Sequence, residues 1–470
     1  MINSIHYSSI SEVAYFLKKK EISPVELTEY MLNRIESVDA NLKSYVTITA
    51  DHAMKAAAKA ESEIIAGHYR GPLHGIPLAL KDLCYTKGIP TMGGLKVRRD
   101  FTPSFDATVV EKLRNSGCIF LGKLNLTEGA LSGYNPEFDI PNNPWRSDLW
   151  AGVSSSGSGA ATAAGLCFGS IGTDTGGSIR YPSMANGIVG LKPTYGSVSR
   201  YGVMELARTL DHVGPMTRTV KDTAIIFEAI AGHDERDVTS LDVPAPQIVN
   251  LLSGDIDGLT LGVDQNYLKR GTDPGLISGL EKAIVCFNEL GAKIVEVSMP
   301  PTDPMEMRNL WLPICGYEAA RAHSETFPSR EREYGGYLKG VLELGLSLSE
   351  VEYQEAVIHR EEYAKLYRKE LTKADALICP AGGFVFPVDK KAQYGDATEM
   401  AEIIKHFQGQ FTIPADLAGI PGITLPCGFS EDNRPYAMQL LGDKHSEVNL
   451  CKLAYAYEQA NEWHLKHPPL

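Results

Sequence analysis

The sequence holds no apolar run approaching the ~18 residues that cross a bilayer. Its amino terminus, Met1 to Tyr15, has no basic region followed by an apolar stretch, so no signal peptide is expected. It also lacks a lysine and arginine cluster, and 45 basic against 58 acidic residues leave a net charge of −13. A chain so charged has little with which to grip nucleic-acid phosphates. No two cysteines are spaced C-x-x-C, and none of the eight has a histidine at metal-ligand spacing. Cys84, Cys118, Cys167, Cys286, Cys315, Cys379, Cys427 and Cys451 therefore read as reduced, mostly buried thiols of a cytoplasmic protein. A Cys–His pair stays open, because the fold rather than spacing would assemble it. Internal repeats and low-complexity tracts are absent too. What is present, 43% hydrophobic and 22% charged residues, is the composition of a folded chain and excludes disorder and fibrous repeats. The 470 residues suit two or three average domains, or one large α/β enzyme.

Ser9-x-x-Glu12 and Ser23-Pro24-Val25-Glu26 read as capping boxes, and Pro24 fits a first helical position. Val25, Leu27, Met31, Leu32 and Ile35 then form a one-sided apolar stripe. The run Gly75 to Lys81 is apolar on both faces, as a buried strand is, with the lysine at its carboxyl end. In α/β sheets ligands bind at that edge. Ala107 to Asn115 predicts a helix stopped by Gly117, followed by a strand at Cys118 to Leu121. A clearer βαβ unit has a strand at Leu259 to Val263 and a helix capped by Asp273-Pro274, with Leu276, Leu280, Ile284 and Phe287 on one face. Gly291 ends the helix and a strand follows at Ile294 to Val297. Gly232 to Asn250 reads as a long surface loop, Ser329 to Ala374 as a solvated helical cap, and Val448 to Trp463 as an amphipathic helix.

The informative stretch is Gly152 to Ser183, crowded with glycine, serine and alanine. Such residues permit close backbone approach. Ala160 to Ala164 should be a smooth-surfaced helix. Thr175-Gly176-Gly177-Ser178 resembles a loop entering a helix, with amides able to face one cavity. A phosphate loop would need Gly-Lys-Ser/Thr, which is missing, and a dinucleotide loop fails at Thr162, where Gly or Ala is required. A packing loop without chemistry is what composition alone implies. No G-x-S-x-G elbow and no S-x-x-K motif occur. Neither His74 nor His212 has a spacing that marks it as a base.

The block Gly152, Ser154, Ser155, Ser156, Gly157, then Gly172, Asp174, Gly176, Ser178, Ile179, Arg180 and Pro182 resembles the signature of the amidase signature family. Gly75-Ile76-Pro77 with Lys81-Asp82 is similar to that family's lysine motif. Asn143-Pro144-Trp145 and Pro421 to Gly428 extend the likeness, which runs from about Ile22 to His467. Val153 stands where glycine is commoner, a departure that leaves the reactive positions untouched.

The resemblance implies an α/β fold: a single large domain over 1–470, with a mixed, mostly parallel, twisted sheet covered by helices on both faces. A signature core would span about 60–230 and a variable helical cap about 305–400. It also implies a Ser–cis-Ser–Lys triad in which Ser178 is the nucleophile, Ser154 the bridging serine after a cis Val153–Ser154 bond, and Lys81 the base. Backbone amides of Thr175, Gly176, Gly177 and Ser178 would form the oxyanion hole. Asp174 and Arg180 would be a supporting charge pair. The physics is coherent: a serine hydroxyl needs a base, and burial at an apolar strand end lowers a lysine's pKa. The implied reaction is hydrolysis of a small amide with neither metal nor organic cofactor. Carbamates, esters or anilides are further substrates of the same chemistry. The alternative is the amide-donor component of a tRNA-dependent amidotransferase, to which Asp174 to Arg180, Lys192 to Gly196 and Val213 to Val220 look similar, while Tyr134 to Asp139 and the region after Gly271 diverge. A scaffold that kept only the fold is the third reading. The expected partner is a small-molecule amide, without direct nucleic-acid or membrane contact; a homodimer is compatible. Substrate contacts are expected among Met92, Tyr134 to Ile140 and the helical segment after Trp311.

Overall fold

Both capping boxes close as read. Ser9 Oγ accepts from the Glu12 amide at 3.2 Å while Glu12 Oε2 accepts from the Ser9 amide at 2.8 Å. Ser23 and Glu26 repeat the arrangement with Pro24 at the first helical position. These reciprocal bonds satisfy amides that an open helix end leaves orphaned. They start helices Ile10–Lys19 and Pro24–Leu42, the second burying Leu27, Met31 and Ile35. The computed structural model describes residues 2–301 and 303–470.

Among the described residues, one sheet has eleven strands. They are β1 Tyr45–Ile48, β2 Pro77–Lys81, β3 Ile119–Leu124, β4 Gly169–Asp174, β5 Val189–Lys192, β6 His212–Thr217, β7 Thr260–Val263, β8 Lys293–Glu296, β9 Ala376–Pro380, β10 Gly422–Phe429 and β11 Pro435–Leu441. Their order is β1-β3-β2-β4-β6-β5-β10-β11-β9-β7-β8. The sheet is mixed, as expected, but not mostly parallel: four pairings are parallel and six antiparallel. Helix crossovers, which favour parallel pairing, are legible in the sequence at β2–β3 and β7–β8. The centre is instead built by direct antiparallel neighbours such as β10–β11, which a few residues join.

β2 is buried along its whole length and lies between β3 and β4. Helices Pro24–Leu42 and Ser156–Ala163 pack on it, so no position of the strand faces solvent and its terminal lysine enters the protein interior. Helices Ser156–Ala163 and Arg180–Asn186 pack on each other. The first contacts β2, β3, β4 and β6, and the second β5, β10 and β11. Helices Val220–Ile230, Pro274–Glu289 and Glu447–Ala460 form a second group on the sheet. The helix Ser156–Ala163 is wholly buried, which its small side chains permit: a Cβ on Gly157 would come within 2.4 Å of the Ser44 carbonyl oxygen. The charged region read as a solvated cap holds helices Gly336–Ser347 and Glu350–Leu371. The first is not merely solvated, since it buries Tyr337, Leu338, Val341 and Leu342. None of the helices among the described residues is long and apolar enough to cross a membrane.

Candidate active site

Lys81, at the carboxyl end of β2, is fully buried. Its Nζ lies 2.7 Å from Ser154 Oγ, 2.8 Å from Ser155 Oγ and 2.8 Å from Thr173 Oγ1. No carboxylate among the described residues lies within 4.0 Å of it. Burial therefore dominates, and it pushes the lysine down to about 7 against weaker pulls from the more distant Cys84, Asp174 and Asp211. Neither Ser155 nor Thr173 stands out in the sequence as a partner of the lysine. Ser155 sits inside the run Ser154-Ser155-Ser156, and Thr173 directly precedes Asp174. Their nearness to Ser154 and Asp174 is the available signal. Ser155 is tied down twice more: its hydroxyl donates to the Thr173 carbonyl at 3.2 Å and accepts from the Thr173 amide at 3.3 Å.

The Val153–Ser154 peptide bond is cis. The Ser155 amide donates to the Ser178 carbonyl at 3.4 Å, which joins this segment to the loop after β4. Ser178 is half-buried and, with Thr175 and Gly176, lines a pocket of about 250 Å³. Thus Lys81 and Ser154 meet directly, and Ser178 belongs to the segment bonded next to them.

Asp174 and Arg180 organise the loop. The Asp174 carboxylate accepts from the amides of Gly177 at 2.6 Å, Ile179 at 3.0 Å and Arg180 at 3.3 Å. It also receives Arg180 Nε and Nη2, each at 3.0 Å. Burial opposes its charge, but Arg180 prevails and holds Asp174 well below the usual carboxylate range. Gly177 takes φ +132°, and a Cβ there would reach 2.3 Å from the Tyr181 ring. Its amide is engaged by Asp174, so the expectation that all four loop amides face one cavity is corrected: those of Thr175, Gly176 and Ser178 are the candidates. Arg180 also donates to Asp416 Oδ2 at 2.6 Å and to the Thr412 carbonyl at 2.9 Å. Asp416 carried no signal in the sequence. Burial and the charge of Asp174 push it well above its ordinary value. Removing one member of a buried ion cluster leaves its partners uncompensated, a cost of about 3–5 kcal/mol. Arg180→Leu should therefore show a markedly lower midpoint in urea unfolding, and an unchanged midpoint would deny the cluster its structural role.

Among the described residues, none of the remaining candidates makes a side-chain hydrogen bond to Lys81, Ser154 or Ser178, although His212 Nδ1 lies 3.3 Å from the Asp174 carbonyl and 3.5 Å from Asp416 Oδ1. His212 is buried and pushed well down by its burial, with Nδ1 at 2.7 Å from the Leu210 carbonyl. His74 pairs with Glu63 at 3.1 Å. All eight cysteines are unpaired, seven of them buried. Burial lifts the Cys84 thiol to about 11. Met92 and Tyr134 lie outside the pocket lining. Its walls include Leu131, Tyr181, Leu206, Trp311, Tyr337 and Phe407. Trp311 Nε1 donates to the Thr175 carbonyl at 2.8 Å. The stretch 401–413, unanticipated in the sequence, supplies a further wall.

An α/β fold carrying a buried, depressed lysine among hydroxyls, beside a pocketed glycine-serine loop, is the arrangement to set against known proteins. The family model described as Amidase matches residues 26–451, and the chain belongs to the amidase family. It is an amidase, acting on amides. It is 38% identical to the putative amidase AmiD of Mycobacterium tuberculosis, over all of this chain and 97% of that one. It is also 38% identical to a glutamyl-tRNA(Gln) amidotransferase subunit of Geobacter metallireducens, over 97% of this chain and 98% of the relative. Among solved structures, the peptide amidase from Stenotrophomonas maltophilia superposes with a TM-score of 0.85 at 30% identity, covering 98% of both chains.

Proposed function

We propose that the chain hydrolyses a small-molecule linear amide through an acyl-enzyme on Ser178, releasing a carboxylic acid and ammonia or an amine. The observation that carries this is the Lys81 amine, poised at about 7 and 2.7 Å from Ser154 Oγ. A neutral amine has two N–H donors and one lone pair. Ser155 can only accept from it, since its own proton goes to the Thr173 carbonyl. With Thr173 Oγ1 accepting the second N–H, the lone pair faces the proton of Ser154. Ser154 then takes the proton of Ser178 as Ser178 Oγ bonds to the amide carbon. The developing oxyanion is met by amides of Thr175, Gly176 and Ser178; a single such donor is worth about 3 kcal/mol in the transition state. The proton returns through Ser154 to the departing amine nitrogen as the C–N bond breaks. Water attacks the ester with the same base, and Ser178 leaves protonated. Asp174 and Arg180 shape the loop and take no chemical step. Residues about 305–400 act as a cap on the core at about 60–230, which Trp311 supports by reaching Thr175.

A second reading follows from the amidotransferase relatives: an amide-donor component whose ammonia passes to a partner. The two separate on the purified chain alone. We expect ammonia release from simple amides without partner or ATP, and a fluorophosphonate adduct mapped by peptide mass to Ser178. Glutamine turnover that needs a partner protein would favour the second reading, and an adduct on another serine would remove the first.

A further inference from the structure

The pocket beside Ser178 has an uneven chemistry. Its walls are largely aliphatic and aromatic, and no aspartate or glutamate contributes to them. Two cations do, Arg308 and Lys405. Lys405 is exposed and ion-paired with Glu402 one helical turn before it, so its charge is met. Arg308 is half-buried, and among the described residues no carboxylate lies within 4.0 Å of its guanidinium. Its neighbour is the Tyr337 hydroxyl, which burial keeps protonated and able to donate. A guanidinium is always charged, and holding it partly desolvated without a counterion is unfavourable. The chain carries −13 overall, so this cation is no part of a general positive surface.

Arg308 is also well placed along the chain. It sits in helix Pro304–Ala322, three residues before Trp311, and residues so spaced are neighbours on one helix face. Trp311 bonds to Thr175, the first residue of the loop. The unmatched cation therefore stands one helical turn from the side chain that touches the reacting loop. From this we infer that the substrate is an amide bearing a carboxylate, with an apolar chain between the two groups. Arg308 and the Tyr337 hydroxyl receive the carboxylate, and the chain fills the apolar wall. The inference rests on the proposed Ser178 chemistry for which end of the substrate reacts, and on the pocket alone for its charge.

The test compares straight-chain dicarboxylic acid monoamides with alkyl amides that carry methyl in place of the carboxylate. In kcat/KM the wild-type enzyme should favour the anionic member at least tenfold, as a charge-assisted hydrogen-bonded pair implies. The preference should reside in KM. Arg308→Gln should collapse that ratio at least tenfold and Arg308→Lys should restore part of it. A second arm measures calorimetric affinity for the same pairs on Ser178→Ala, where no turnover is needed; again the anionic member should bind at least tenfold tighter, and the advantage should shrink in high salt. Equal affinities, or a ratio unmoved by Arg308→Gln, would overturn the inference. Hydrolysis through Ser178 without anionic preference would leave the proposed chemistry standing and remove only the substrate class. Anionic preference in binding with no amide turned over would do the reverse.

Discussion

Ser178→Ala should lower kcat/KM for amide hydrolysis by on the order of 10⁴-fold or more, the scale at which loss of a serine nucleophile is felt. The pocket should remain. The Ser178 hydroxyl holds no hydrogen bond with any described residue, and its side chain is only half-buried. Its removal should thus leave the unfolding midpoint and the affinity for substrate close to wild type. Activity that survives the change would place the nucleophile elsewhere. Asp174 is the instructive contrast, because it anchors three amides and one guanidinium. A loss of activity on altering Asp174 would therefore be ambiguous, whereas a loss on altering Ser178 is not.

The second large effect concerns pH. A base must be unprotonated to act, and Lys81 is held down to about 7 by burial. Below that pH the ammonium predominates and kcat/KM should fall tenfold per unit; above it the rate should level off. Lys81→Met should remove this limb and cost roughly 10²–10⁴-fold at neutral pH. The residual rate should then climb with hydroxide concentration. A wild-type profile flat from pH 5 to 9 would contradict the assignment. Stability should rise with pH as well, over a higher window. The unfolded chain's lysine, near its ordinary value of 10.5, binds more protons between about 7 and 10.5 than the folded one does, so this group makes the fold more stable as pH rises across that window. Lys81→Met should consequently be no less stable than wild type at neutral pH. An enzyme that loses activity and keeps or gains stability on losing one buried cation carries that cation for chemistry.

Much of this arrangement is legible along the chain. β2 could be read as a doubly apolar run ending in lysine, and the capping boxes at Ser9 and Ser23 need only neighbours in sequence. The βαβ unit from Leu259 to Val297 is carried by periodicity and appears as β7, helix Pro274–Glu289 and β8, paired in parallel. The centre of the sheet was not legible, because antiparallel pairing of β4 with β6, or β10 with β5, leaves no local mark on residues so far apart. The same distance hides Asp416, 236 positions from Arg180. Ser155 was hidden differently: three consecutive serines look alike, and only the folded backbone decides which hydroxyls turn toward Lys81. The amide of Gly177 was misread for a related reason, since a sequence shows that a loop is rich in N–H groups but not that a neighbouring carboxylate already claims one.

The indole of Trp311 holds the carbonyl of Thr175, and the opposite edge of that same peptide plane carries the Gly176 N–H. On the proposed chemistry, in which the Gly176 N–H meets the oxyanion, a guest that crowds the indole would tilt that plane and spoil the aim of the dipole. Discrimination between guests of different girth should then be registered in turnover more than in residence.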